Sequence, residues 1–129
     1  MKTWEAAPLI GINGVTFGMC RDEVRKILGQ NSIEFKKNKF SHNTVDDFGV
    51  AHVYYDANGN CNAVEVFPDV KVSVGGRVIF PATIENALRI ISDLKKDDGG
   101  FISTEKSVGI SMLDGRMESI LFGAEGYYE

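Results

Sequence analysis

Apolar and polar positions alternate along most of this chain. Val50 to Tyr55, the turn Asp56-Ala57-Asn58-Gly59 and Asn60 to Phe67 read as a hairpin, because Asn-Gly between β-rich runs favours a tight reversal. In its second strand Val64 and Val66 face one way, and Ala63, Glu65 and Phe67 face the other. Val70 to Val74, Gly75-Gly76 and Arg77 to Phe80 predict a second hairpin. Val108 to Leu113, Asp114-Gly115 and Arg116 to Phe122 predict a third, preceded by a short strand over Phe101 to Thr104.

Two stretches carry helical spacing instead. Cys20 to Leu28 places Val24, Ile27 and Leu28 on one face, with Asp22 and Glu23 in the first turn and Gly29 as the stop. After Pro81, Thr83 can cap a helix whose stripe is Ile84, Ala87, Leu88, Ile91 and Leu94. Lys95 and Lys96 would complement its C-terminal dipole, and Gly99-Gly100 would end it. The pattern predicts one α+β domain over residues 1–129: an antiparallel sheet of about six to seven strands with two helices packed on one face. The order of elements repeats loosely, as two helix-plus-hairpin units. An old duplication and a chance ordering both fit it.

Composition narrows the function. Hydrophobic residues at 43% in a chain of 129 suit a packed globular core rather than disorder. The net charge of −4 argues against direct nucleic-acid binding, which needs clustered Lys and Arg, and permits a basic partner. No apolar run approaches the roughly 20 residues of a membrane span. The start, Met1-Lys2-Thr3-Trp4-Glu5, lacks a secretory apolar region, so a cytoplasmic location with Cys20 and Cys61 as free thiols is expected.

Chemical motifs are sparse. His42, in a polar loop, and His52, in a strand beside Tyr54, lack further metal-ligand spacing. Gly11-Ile12-Asn13-Gly14 is neither a dinucleotide fingerprint nor a P-loop, and reads as a turn. Cys20, at a helix start, could pair with either histidine as a nucleophile, but no oxyanion hole or orienting group is identifiable. No enzyme activity, cofactor or metal is expected. Asp56, Asp97, Asp98 and Asp114 fit turns. Glu65 and Glu118 are more informative: a carboxylate in the middle of a strand must face solvent, a cation or a partner. Tyrosines mixed with carboxylates suit a protein interface that meets Arg and Lys. If the sheet face opposite the helices binds, its contacts are Asp46, Asp47, His52, Tyr54, Asp56, Glu65 and Asp69, followed by Glu118, Tyr127 and Tyr128.

The segment Ile12 to Gly29, with Gly14-Val15-Thr16-Phe17-Gly18-Met19 leading into Glu23-Val24 and Ile27-Leu28-Gly29, resembles a motif of barrel-assembly outer-membrane lipoproteins, β-lactamase-inhibitor-like modules and small immunity proteins. Phe48-Gly49-Val50, Tyr54 to Gly59, Ala63 to Phe67 and the tail from Gly109 through Glu118 to Tyr128 resemble the immunity group. The resemblance implies a cytoplasmic immunity protein of contact-dependent growth inhibition or a related polymorphic toxin system. It would bind the C-terminal domain of one cognate toxin, a basic, nuclease-like domain, and occlude its active or substrate-binding surface. The alternatives are a non-catalytic scaffold module similar to the barrel-assembly lipoproteins, a thiol enzyme using Cys20 and a small-ligand domain.

Overall fold

The computed structural model describes residues 2–30, 32–36 and 44–129. The first half runs through β1 (Thr3–Ala7), β2 (Gly11–Ile12), β3 (Val15–Thr16), α1 (Arg21–Leu28), β4 (Ile33–Lys36), β5 (Thr44–Asp47), β6 (Ala51–Tyr55) and β7 (Cys61–Val66). The second half continues with β8 (Lys71–Val74), β9 (Arg77–Phe80), α2 (Ile84–Ile90), β10 (Lys95–Asp97), β11 (Gly100–Ser103), β12 (Val108–Leu113) and β13 (Arg116–Gly123). After β1, each half therefore reads as hairpin, helix and four strands.

The class is α+β as predicted, but the strands form two sheets where a single smaller one was expected. A five-stranded sheet has the order β3-β2-β1-β8-β9, and an eight-stranded sheet has the order β10-β11-β12-β13-β7-β6-β5-β4. The smaller sheet is mixed, because β1 pairs parallel to β8. The larger is antiparallel throughout, and its two four-strand halves meet where β13 pairs with β7. The predicted hairpins fall at β6–β7, β8–β9 and β12–β13. Strand β1 was not anticipated. Its Trp4 and Ala6 alternate inward in a run too short to stand out by pattern alone.

One apolar core joins both sheets and both helices, from Trp4 and Ile12 through Val64 and Phe80 to Ile120 and Phe122. In the eight-stranded sheet, register sorts the side chains into transverse rows. Ile120, Val66 and Ala51 form one inner row, and Phe122, Val64, Val53 and Asp46 form the next. Asp46 is thus a carboxylate in an apolar row, with 0% exposure. Arg25 of α1 holds it with two bonds, Nε to Oδ2 at 2.9 Å and Nη2 to Oδ1 at 2.7 Å, and the Tyr55 hydroxyl donates to Oδ2 at 2.8 Å. The bond to Asp46 holds the Arg25 guanidinium charged well above the ordinary arginine range. Arg21, one turn earlier, lies 4.4 Å from the centre of the Tyr55 ring and donates to Glu34 and to Thr44. Helix α1 is therefore fastened to the inner face by charge as well as by Val24. Ile27, expected on its buried face, is 43% exposed.

Helix α2 is shorter than its apolar stripe. Thr83 caps it by accepting from the Asn86 amide, and Asn86 Nδ2 reaches the Val78 carbonyl at 2.8 Å. The helix ends at Ile90, yet Ile91 and Leu94 remain buried in the turn that follows. Lys95 and Lys96, expected in a last helical turn, belong to edge strand β10 paired with β11. The stripe marks burial, which a turn can also provide. The Asp93 carboxylate accepts the Ser103 hydroxyl at 2.9 Å and ties that turn to β11.

Replacing Arg25 by Ala leaves the Asp46 charge buried and unpaired. Urea denaturation should show a loss of about 3 kcal/mol for Arg25→Ala, against under about 1 kcal/mol for the outward Asp47→Ala. Equal losses would contradict the buried-pair assignment.

Candidate functional site

Adjacent residues on a strand point to opposite faces. Asp46 and Asp47 therefore cannot both join the surface opposite the helices. Asp46 is the one turned inward, so it leaves the set of contact residues. The outer face is built from two neighbouring rows. The first crosses all eight strands as Lys95, Ile102, Gly109, Leu121, Glu65, His52, Asp47 and Ile33. The second contains Gly123, Ala63, Tyr54 and Val45.

Glu65 sits at the centre of the face. Its Oε1 accepts from the Tyr54 hydroxyl at 2.6 Å, and its Oε2 accepts from the Ser119 hydroxyl at 2.6 Å. His52 stands beside it, with Nε2 3.5 Å from Asp47 Oδ2 and its ring edge-on to Phe67 at 4.8 Å between centroids. Asp47 also accepts the Gly49 amide at 2.7 Å.

The C-terminal segment lies over the same face. Ala124 donates its amide to the Asn62 carbonyl at 2.8 Å. Tyr127 and Tyr128 meet edge to face, with centroids 5.2 Å apart. Each rests over a strand glycine. A Cβ on Gly123 would come within 2.6 Å of the Tyr127 Cβ, and a Cβ on Gly109 would collide with the Tyr128 hydroxyl and ring. The two strand glycines therefore make room for the two tyrosines. Between Glu65, Ser119, Ser111, Leu121, Ile102 and Tyr128 the face sinks into a cleft of about 160 Å³, with Asp97 and Asp98 at its rim.

The other predicted residues lie away from this centre. Asp56 turns the β6–β7 hairpin by accepting the amides of Asn58 and Asn60 at 2.9 and 3.0 Å. Asp69 is exposed in the link between β7 and β8. Glu118 is exposed on β13 and accepts the Ser111 hydroxyl at 3.0 Å. Ser111, Ser119 and the two glycines were missed in the sequence. The glycines had a readable signal, since Gly weakens a strand unless something packs closely against it.

The thiols differ. Cys20 is exposed, and its Sγ lies 3.4 Å from Glu23 Oε1. Burial pushes the Cys61 thiol up to about 12. Cys20 precedes a helix on the inner side of the sheet, whereas His52 faces outward, so the structure does not juxtapose them. His42 lies outside the described residues. Among the described residues, no group of three His, Cys, Asp or Glu side chains is placed to hold a metal ion, and no helix is long and apolar enough to cross a membrane.

All four tyrosines are held protonated above their ordinary range. Burial is the first cause in each case. Glu65 adds to it at Tyr54 and Tyr127, Asp46 at Tyr55, and Tyr127 followed by Glu65 at Tyr128. No family model, curated protein or solved structure matches the chain.

The raised phenols set the alkaline behaviour. Folded pKa values lie above the unfolded value of 10.0, so this contribution to stability is fully present below pH 10. It is lost as pH rises further, because the unfolded chain releases phenol protons first. Near-ultraviolet tyrosinate absorbance should stay flat through pH 10 and rise together with loss of the folded circular dichroism signal. Ionisation of the tyrosines near pH 10 with the fold intact would contradict this.

Proposed function

We propose that this chain is a cytoplasmic immunity protein that binds the C-terminal domain of a cognate bacterial toxin and blocks it by occupying its active or substrate-binding surface. The observation that carries this reading is the outer face of the eight-stranded sheet. A half-buried carboxylate, Glu65, is flanked there by Tyr54, Tyr127 and Tyr128, by Asp47 and His52 in the same row, and by Asp97 and Asp98 at the cleft rim. Tyrosines supply wide contact area at low entropy cost, and carboxylates steer a basic partner into place. A nuclease-like domain that binds phosphate would present such a basic surface. The net charge of −4 and the immunity-like segments of the sequence support the same partner.

The proposal takes the two halves as a duplicated unit. The repeated order of hairpin, helix and four strands supports this, as does the mirrored strand order about the β7–β13 pair. Duplication would double the width of the sheet and so the area offered to one partner. Asp47, His52, Tyr54, Glu65, Tyr127 and Tyr128 are the central contacts in this reading. Asp97, Asp98 and Glu118 form the rim.

Purified protein should bind the toxin domain encoded beside its own gene and abolish that domain's activity at equimolar ratio. The paired reversal Asp47→Lys with Asp98→Lys should slow association about tenfold at low salt and flatten its salt dependence, with the dissociation rate little changed. Failure to bind the toxin domain, or association indifferent to both the reversal and salt, would reject the reading.

A further inference from the structure

Glu65 and Asp46 are both carboxylates inside strands of one sheet, but their charges are balanced differently. Asp46 has the guanidinium of Arg25. Glu65 has only two hydroxyl donors, Tyr54 and Ser119, and no ion pair among the described residues. Each of its oxygens keeps one acceptor position beyond those two bonds. Lys95 and Lys96 of the edge strand line an adjoining cleft with Asp93 and Glu105, which shares Asp97, Ile102 and Tyr128 with this one, and neither pairs with Glu65.

The space in front of Glu65 has a definite shape. Gly109 contributes no side chain there, because Tyr128 occupies that position, and Gly100 leaves the next strand bare for a similar reason, since a Cβ on it would strike the Ile110 carbonyl. Leu121 and Ile102 give apolar walls, Tyr128 gives an aromatic one, and the rim carries Asp97 and Asp98. At about 160 Å³ the cleft suits one side chain rather than a whole cofactor, for which pockets run roughly 300–1,000 Å³.

We propose that this cleft is a socket for one arginine side chain of a protein partner. The inference rests on the reading that the outer face meets a protein, and adds the chemistry of the anchor. A planar guanidinium satisfies the geometry better than an ammonium. It can offer two N–H groups side by side to a carboxylate whose remaining positions are split between two oxygens. It can also lie against a tyrosine ring, and it is more weakly hydrated and so more easily drawn off solvent. The Tyr54 and Ser119 hydroxyls then act as positioning groups that hold the carboxylate in one orientation before the partner arrives.

The test uses the full chain and a small probe, Nα-acetyl-arginine amide, followed by backbone amide NMR. Saturable shifts are expected at the amides of Glu65, Gly100, Gly109 and Ser119. The citrulline analogue, which keeps the shape but not the charge, should give none, and the lysine analogue should bind several-fold more weakly. Glu65→Gln and Tyr128→Leu, each with a native amide spectrum, should abolish the arginine shifts. Against the toxin domain, Glu65→Gln should speed dissociation roughly 30-fold. Shifts scattered elsewhere, or equal binding of the citrulline or lysine analogue, overturn the socket. So does unchanged dissociation of the toxin domain from Glu65→Gln, although the proposed function then stands. If the toxin domain does not bind but the arginine probe saturates the cleft, the function falls and the socket is upheld.

Discussion

The ladder between β7 and β13 is the constraint on which the rest of the molecule depends. It joins the halves of the eight-stranded sheet and fixes which residue stands beside which across them. Placing Ile120 beside Val66 and Phe122 beside Val64 completes the inner rows that close the core. The same register places Leu121 beside Glu65 and Gly123 beside Ala63 on the outside. A slip of one residue would turn both sets over and expose the apolar rows. The core and the candidate site are thus two sides of one pairing.

The outer face is not left bare by that arrangement. The tail from Ala124 onward folds back over β13 and lays two tyrosines into positions kept open by Gly109 and Gly123. These rings shield the centre of the face from water, which strengthens the hydrogen bonds at Glu65 and raises the phenols. A surface prepared in this way would spend less entropy on ordering if the proposed partner docks there.

Charge is handled oppositely on the two sides. On the inside, the cost of burying Asp46 is offset by Arg25 and Tyr55, and the result is a fixed attachment point for α1. On the outside, Glu65 is oriented by neutral hydroxyls and keeps its charge on offer. The first arrangement specifies where a helix sits. The second suits recognition, because a cation from elsewhere can still complete it.

Much of the local structure was legible from the chain alone. The Asn58-Gly59, Gly75-Gly76 and Asp114-Gly115 turns announced three hairpins, because each sets a glycine, which takes positive φ freely, between β-rich runs. Thr83 and Gly29 marked helix boundaries, and the outward placement of Glu65 followed from its alternation with Val64 and Val66. These features depend on neighbours in sequence. What lay beyond reach depended on distant partners. The parallel pairing of β1 with β8 joins segments from opposite halves, and Asp46 could be sent inward only once Arg25 was known to meet it. Ile91 and Leu94 carried a helical stripe, yet their burial is met by a turn because β10 is drawn into pairing with β11. The sequence by itself determined the two-residue and helical periods, and hence the element types. The tertiary structure decided how many sheets those elements make, which of two adjacent aspartates is buried, and that a glycine-seated tyrosine pair overlies Glu65. Each of these is settled by a contact between segments that local periodicity does not encode.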